Sequence, residues 1–400
     1  MKKILFLYLF ITCFCCRLKA NNYNFRHLDG RSGLVNNMVN GICRDHVGYM
    51  WFATGGGLCR YDGYSFRTIG VAEGMMLDNK LISVQELADG RLLISDANLY
   101  CLFNPKTERF SQFSELLDSF DIKGYAFKIH VDRNKNLWCY VMGHGVYYCD
   151  VKTGKKTTFS MNGDNPALPM GQISAICESK NGVLVVYNDA TLASINGKTA
   201  KVLWHHNRLL DLGASPRNQY NVFEDSGENV WVFSARQVFI YSKQHRRWFS
   251  SVADFCMAKG LKFDKRFADS EVCSAVEDAS GNVWLGTDHS NLFKIDYKHG
   301  ETLLVPLYEE SKNISATNPV STLFFDRQNS FLWVGTYKNG ISYTCRNLYN
   351  FGFVGIEDVN TMAQDKAGNY WYGTNGNGII FYDKKNGIEK RFNKQNCKRF

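Results

Sequence analysis

The chain has 400 residues, of which 45% are hydrophobic and 14% aromatic, so it can bury a large core. Its formal net charge is +9, from 47 Lys and Arg against 38 Asp and Glu. Part of this excess lies in the first twenty residues and the remainder is scattered, which excludes the concentrated basic face of a nucleic-acid-binding protein. The 34 Gly against six Pro favour many tight turns and few rigid linkers.

Residues 1–20 have the pattern of a secretory signal peptide. Lys2 and Lys3 precede an apolar run from Ile4 to Cys16, which is too short to span a bilayer comfortably. We expect cleavage after Ala20 and export to the periplasm. Lipid attachment at Cys13 is the minor alternative.

The segment that follows, 23–28, is similar to residues 109–111 and 158–160, which end later repeats as outer strands. It nevertheless precedes the first repeat. We therefore predict that it completes a sheet begun at the other end of the chain, which would pair an otherwise exposed edge.

A motif then recurs along the chain: an Asp-containing turn, Gly-Asn, Trp-x-Gly-Thr and a second turn. The complete and looser copies contain Trp51, Trp138, Trp231, Trp284, Trp333 and Trp371, and degenerate copies without Trp lie at 88–94 and 180–186. Repeats of about 40 to 50 residues with this signature are typical of propeller blades. The sequence thus predicts an all-β fold, a β-propeller of four-stranded blades over residues 21–350. Seven blades are expected there, and the eighth repeat, in 351–400, either starts a second propeller or adds a blade.

The copy at 273–304 illustrates one blade. Cys273–Glu277 alternates as a first strand, 278–282 supplies a hairpin, and Val283–Thr287 and Leu292–Asp296 form the next two strands. Because Trp recurs in the same register, we interpret it as packing between blades rather than as a platform for sugar stacking.

The chain has thirteen cysteines, a number that suggests a disulfide framework, but their positions along the repeats argue against one. Three lie in residues 1–20, and several others occupy strand positions where sister repeats have apolar residues, as expected for small buried side chains. After residue 20, neither a CxxC pair nor a Cys/His cluster with zinc spacing occurs, so we predict no metal site and no cofactor. One or two disulfides remain open.

Enzymatic chemistry finds little support in the sequence. The turn resembles the Asp box of sialidase-type propellers, but its Asp recurs copy after copy as a turn residue, whereas glycoside hydrolysis needs a dedicated pair of carboxylates. The nine His are dispersed and no Gly-x-Ser-x-Gly elbow occurs. We therefore expect no catalytic residues, with a sialidase- or lyase-like carbohydrate enzyme as the third hypothesis.

Ligand binding is the better expectation, since loops carry function on a rigid scaffold. In each blade the connection between the second and third strands opens on the same edge as the segment that enters the first strand. The polar residues there, suited to recognising hydroxyl groups, are Asn36, Asn37, His144, Asn188, Arg236, Asp288, His289, Tyr337, Lys338 and Asn375.

Two segments, Gly33–Val39 and Trp51–Gly63, together with the Trp-x-Gly-Thr copies, resemble the two-component regulator propeller repeats of Bacteroidetes hybrid two-component sensors. The resemblance implies a periplasmic sensor that binds glycan-derived oligosaccharides without catalysis. It also implies a homodimer, and signalling through a membrane helix to a histidine kinase, a receiver and a DNA-binding region. No kinase motif lies in these residues, so we expect kinase activity and inner-membrane anchoring only in a longer receptor. A free-standing or truncated exported scaffold propeller is the alternative.

Overall fold

The computed structural model describes residues 23, 25–70, 74–75, 77–161, 168–180, 182–196, 199, 201–267, 270–288, 291–307, 319–345, 358–376, 378–383 and 388–393. The predicted signal peptide and His289 lie outside the described residues. The chain forms two compact units, Met1–Arg346 and Asn347–Phe400.

The first unit contains seven four-stranded antiparallel sheets among its described residues. Sheet I is β2 (Val39–Arg44), β3 (Met50–Thr54), β4 (Gly57–Tyr61) and β5 (Phe66–Ile69). Sheet II is β6 (Ser83–Glu86), β7 (Leu92–Ser95), β8 (Tyr100–Asn104) and β9 (Arg109–Gln112). Sheet III is β10 (Ala126–Val131), β11 (Leu137–Val141), β12 (Gly145–Asp150) and β13 (Lys155–Ser160). Sheet IV is β14 (Ile173–Ser179), β15 (Gly182–Tyr187), β16 (Leu192–Asn196) and β17 (Lys201–His206).

The remaining sheets of this unit repeat the pattern, with one difference in the last. Sheet V is β18 (Asn221–Glu224), β19 (Val230–Ser234), β20 (Gln237–Ser242) and β21 (Arg247–Phe249). Sheet VI is β22 (Val272–Glu277), β23 (Val283–Thr287), β24 (Asn291–Asp296) and β25 (Glu301–Pro306). Sheet VII is β26 (Val320–Asp326), β27 (Phe331–Thr336), β28 (Ile341–Cys345) and β1 (Arg26–Leu28).

The N-terminal strand β1 supplies the outer strand of sheet VII. It pairs antiparallel with β28, with His27 opposite Ser342. The prediction that residues 23–28 complete a sheet begun at the other end of the chain is therefore confirmed.

Each sheet of the first unit shares an apolar cluster with the next one, and sheet VII shares one with sheet I. Between sheets I and II, for example, Trp51 and Leu58 pack with Leu92 and Phe103. Between sheets VII and I, Trp333 lies in one cluster with Phe52. The core is thus distributed over the junctions between sheets, and the predicted β-propeller fold is confirmed.

One hairpin, between the first and second strands, recurs in the sheets. In sheet I, Asp45 Oδ1 accepts hydrogen bonds from the backbone N–H groups of Val47, Gly48 and Tyr49, and Oδ2 accepts one of 2.7 Å from Trp51 Nε1. We call this unit the Asp–Trp hairpin. It recurs with Asp132 and Trp138, Asp225 and Trp231, Asp278 and Trp284, and Asp365 and Trp371.

Trp333 departs from this pattern. It lies seven residues after Asp326, one more than in the other copies, and its buried indole N–H finds no acceptor among the described residues. Asp326 instead binds the backbone N–H of Gln328 and pairs with Arg44 of sheet I at 3.4 Å.

Among the described residues, two short α-helices interrupt the all-β pattern, and neither was predicted. Helix α1 (Phe113–Ser119) follows sheet II and buries Phe113, Leu116 and Leu117. Helix α2 (Val252–Ala258) follows sheet V and buries Val252, Phe255 and Cys256. Both have apolar residues at positions i, i+3 and i+4, the helical spacing.

The second unit contains sheet VIII. Its strands are β29 (Val359–Gln364), β30 (Tyr370–Thr374), β31 (Ile379–Asp383) and β32 (Ile388–Phe392). Trp371 is 37% exposed here, whereas Trp51 and Trp231 are fully buried.

The cysteines behave as small apolar side chains. Cys43, Cys59, Cys101, Cys139, Cys149 and Cys256 are buried and, like the half-buried Cys177 and Cys273, carry free thiols. Burial raises the pKa of the Cys256 thiol to about 12, so it remains protonated at neutral pH.

Candidate ligand-binding site at the channel mouth

The hairpins between second and third strands lie beside the segments that enter the first strands. Gly55 donates a backbone hydrogen bond to Met38 O at 2.9 Å, and Asn188 donates one to Gln172 O at 2.9 Å. In sheet VIII, Asn375 donates to Asp358 O. In each sheet, the two kinds of loop therefore share one edge.

Asn36 and Asn37, on the segment that enters sheet I, make local hydrogen bonds. Asn36 Oδ1 accepts from Met38 N at 2.8 Å, and Asn37 Oδ1 accepts from Gly30 N at 2.9 Å. Their side chains thereby hold the entry loop in place.

Four other predicted residues lie apart from the cavities described below. His144 is exposed on sheet III, and Tyr337 and Lys338 are exposed on sheet VII. Asn375 is exposed on sheet VIII, in the second unit. Their role in binding stays a prediction.

A cavity of about 480 Å³ lies where the first strands of sheets III to VI begin. Its lining is mostly polar: Lys128, Ser174, Asn218, Gln219, Tyr220, Asn221, Ser234, Ala235, Glu271, Val272 and Cys273. We call it the mouth cavity. Because most of these residues lie on the first, innermost strands and their entry segments, we place the cavity at the mouth of the propeller channel.

A second cavity, of about 500 Å³, lies between sheets V and VI. It shares Glu271 and Val272 with the mouth cavity and is also lined by Arg236 and by Phe263. The two cavities are therefore neighbours that meet at Glu271 and Val272, and the second one has an aromatic wall.

Glu271 links two of the predicted residues. Its Oε1 lies 3.8 Å from Arg236 Nε, on the neighbouring hairpin of sheet V. Its backbone N–H donates to Asp288 Oδ1 at 2.9 Å. Arg236 thus faces the carboxylate of Glu271 and Asp288 binds its backbone N–H, so both contact one residue that sequence reasoning missed. The signal was available, because Glu271 immediately precedes the first strand of sheet VI.

Hydrogen bonds hold the opposite wall of the mouth cavity. Asn218 donates from its backbone to Asn188 O at 3.0 Å and from its side chain to Ser234 Oγ at 2.9 Å. Tyr220 N donates to Ser174 Oγ at 2.7 Å, across the junction of sheets IV and V. Of the predicted residues, Asn188 therefore acts here through its backbone and supports the wall.

Burial changes the protonation of two groups that line the mouth cavity. Burial, with Asp288 and Glu271 nearby, raises the pKa of the Cys273 thiol to about 11, so it is a poor nucleophile at neutral pH. Burial lowers the pKa of Lys128. No group of three or more His, Cys, Asp or Glu residues that could hold a metal ion occurs among the described residues.

The family model named two-component regulator propeller matches residues 33–56, which span the entry loop, β2, β3 and the start of the next hairpin. These residues are thus similar to one two-component regulator propeller repeat. The repeat includes Asn36, Asn37 and Trp51, and the resemblance seen in the sequence is confirmed. No curated protein matches the chain.

Solved structures with similar folds include two extracellular domains from B. thetaiotaomicron. One, described as part of a hybrid two-component system, is 20% identical with a TM-score of 0.58 over 93% of this chain and 49% of that one. The other, described as part of a one-component system, is 21% identical with a TM-score of 0.58 over 94% and 48%. This chain thus spans about half the length of these structures.

A virginiamycin B lyase from Staphylococcus aureus is also similar, at 11% identity and a TM-score of 0.54, over 80% of this chain and 99% of that one. At these identities the similarities show the propeller fold, which sensors and a lyase share. In the described part of the chain, no helix is both long and apolar enough to cross a bilayer.

Proposed function

We propose that this chain is the extracellular, periplasmic ligand-sensing part of a two-component system and that it binds a glycan-derived oligosaccharide in the mouth cavity without catalysis. The observation that carries the proposal is the mouth cavity itself. Amide, hydroxyl and charged side chains from four sheets surround it on the edge that carries the inter-strand hairpins.

Sugar hydroxyl groups both donate and accept hydrogen bonds, and the lining offers both functions. Glu271 accepts, whereas Lys128 and Arg236 donate, and the exposed amides of Gln219 and Asn221 do both. The volume of about 480 Å³ falls in the usual range of small-molecule pockets. Phe263, in the adjoining cavity, adds an apolar ring for the face of a sugar.

The resemblance to regulator propellers supports the sensing role. The repeat at 33–56 and the fold shared with extracellular domains of B. thetaiotaomicron signalling systems both belong to this class. The protonated Cys273 thiol and the ion-paired Glu271 favour recognition over turnover.

Thermal unfolding of the purified chain against a panel of plant, host and microbial oligosaccharides tests the proposal. A ligand at 100 times its Kd should stabilise the fold by about 2.7 kcal/mol. The glycans are recovered afterwards and checked for cleavage, because turnover would support a lyase- or hydrolase-like enzyme instead.

Matched variants locate the site. Arg236→Ala, which removes the partner of Glu271, should weaken binding, whereas Arg67→Ala removes the partner of Glu108 in an ion pair on the outer strands and should not. Equal binding by both variants would place the ligand elsewhere, and no binding by a folded wild-type chain would contradict the sensing role.

A further inference from the structure

One position in the innermost strands differs sharply between sheet III and the other sheets of the first unit. In each sheet, Trp51 or its counterpart occupies one aligned position of the second strand. The position considered lies on the first strand and pairs with the residue two places after that one, as Gly41 pairs with Ala53 in sheet I. Six sheets have a small or uncharged residue there: Gly41, Ser83, Ala175, Asn221, Ser274 and Thr322. Sheet III has Lys128, opposite Tyr140. A residue type that recurs at an aligned position is needed for the fold. Because the lysine occurs at this position in sheet III and in no other sheet of the first unit, the fold does not require it.

The preference for small residues has a steric cause. A Cβ atom on Gly41 would lie 3.0 Å from the Cα atom of Ser83, on the first strand of the next sheet. The corresponding side chain of sheet III is therefore directed toward the junction with sheet IV. There Lys128 lines the mouth cavity together with Ser174.

Lys128 is half-buried and lacks a counter-ion. No carboxylate among the described residues lies within 4 Å of its ammonium group, whereas other cations of sheet III are paired, Arg133 with Glu178 at 3.0 Å and Lys135 with Glu86. Burial alone lowers its pKa. An unpaired, partly desolvated ammonium is unfavourable for folding, so its presence calls for a function.

The neighbouring groups leave Lys128 as the cation on this side of the cavity. His130, two residues further along the same strand, is half-buried, and burial lowers its pKa to about 4, so it is neutral at pH 7. On the far side, Glu271 already faces Arg236 at 3.8 Å. The cavity is thus polarised, with an uncompensated positive charge at sheet III.

We propose that Lys128 determines specificity for an anionic sugar, by pairing its ammonium group with the carboxylate of a uronic acid or with a sulfate ester of the bound oligosaccharide. This inference rests on the proposed function and narrows its ligand class. The anionic group lies at the sheet III side of the mouth cavity, and the remaining hydroxyl groups face Gln219, Asn221 and Glu271.

The test compares matched ligands on the full chain by calorimetry. The probes are a uronic-acid oligosaccharide, the same oligosaccharide with its carboxyl groups reduced to hydroxymethyl groups, and a sulfated oligosaccharide of similar size. The variants are Lys128→Met, which keeps the length without the charge, and Lys128→Arg, which keeps the charge. Lys152→Met, on an exposed turn at the opposite edge of the same sheet, is the control.

The wild-type chain should bind an acidic probe at least about tenfold more tightly than its neutral counterpart, since a hydrogen bond to a charged group is worth that much. Lys128→Met should abolish the difference, and Lys128→Arg and Lys152→Met should retain it. The preference should also shrink as salt is raised. Carboxylate and sulfate are distinguished by which acidic probe binds.

Two outcomes overturn the inference in different ways. Equal binding of acidic and neutral probes, or an unchanged preference in Lys128→Met, refutes the role of Lys128 and leaves glycan sensing intact. Failure of a folded chain to bind any of these probes or any member of the broader glycan panel refutes the proposed function, and the inference with it.

Discussion

Replacing Asp45 with Asn should remove one hydrogen bond from the Asp–Trp hairpin of sheet I and leave its turn intact. Asn can still accept from the three backbone N–H groups that Asp45 Oδ1 binds. Its amide nitrogen, however, would face the indole N–H of Trp51, which now donates to Oδ2 at 2.7 Å. Two donors would then oppose each other at a fully buried tryptophan.

The cost has two parts. A hydrogen bond to a charged group contributes about 1.5–3 kcal/mol, and an unsatisfied buried donor costs about 1–3 kcal/mol. Because these overlap, we expect Asp45→Asn to lower the free energy of unfolding by about 2–4 kcal/mol. The thermal midpoint should fall by about 5 °C or more.

Thermal unfolding followed by circular dichroism measures this loss, with Asp150→Asn as the control. Asp150 accepts from the backbone N–H groups of Lys152 and Thr153 in a comparable turn but binds no tryptophan, so its variant should unfold almost as the wild type does. A double-mutant cycle with Trp51→Phe isolates the pair. Additive effects of the two substitutions, or an equal loss in Asp150→Asn, would refute the reasoning.

Three further predictions concern the ring closure, an ion pair and the mouth cavity. Gly340→Ala should lower the thermal midpoint, because at φ 74° a Cβ atom would lie 2.3 Å from Leu28 O and displace β1; Gly154→Ala, with open space around its Cβ position, is the control. Burial would raise the pKa of Asp296, but hydrogen bonds from Lys294 and a neighbouring histidine outweigh it and lower the pKa to about 2. The stabilisation is therefore complete above pH 3.8 and lost as the pH falls towards 2, and Asp296→Asn should remove this part of the pH dependence of unfolding. Lys128→Met should raise the thermal midpoint in the absence of ligand, since it removes an unpaired, half-buried charge; a lower midpoint would indicate a structural role.

Most of the fold could be predicted because the same turn-and-strand pattern recurs along the sequence. Each Asp and Trp of the recurring hairpin fixes a turn and a strand register, and the similarity of residues 23–28 to later outer strands identifies β1. The helices were missed because each occurs once, outside the repeat, and a seven-residue amphipathic segment such as Phe113–Ser119 gives a weak pattern. The missing acceptor of Trp333 was also hidden, since it follows from a single extra residue in its hairpin.

The candidate site was predicted less completely, for a different reason. The hairpin edge could be inferred within one sheet, and it includes Arg236 and Asp288. Both residues contact Glu271. Arg236 lies in sheet V, whereas Glu271 lies on the segment that enters the next sheet, sheet VI. Such a contact depends on how neighbouring sheets align, which periodicity along the chain does not encode. Asn36 and Asn37 show that a polar residue on the predicted edge need not face a ligand, since their side-chain oxygens accept hydrogen bonds from backbone N–H groups of their own loop.

Because a propeller repeats one structural unit along its chain, comparing the copies distinguishes residues needed for the fold from residues available for function. Whatever recurs from sheet to sheet, such as the Asp–Trp hairpin found in five of the described sheets, serves to build sheets and cannot distinguish one ligand from another. Ligand selectivity must therefore come from positions where one copy departs from the others at an accessible edge. Lys128 is such a departure on a strand, and Glu271 is one on an entry segment, and both border the same cavity. A search for unique residues at aligned positions, in strands as well as loops, finds the lysine that a search restricted to hairpins passes over.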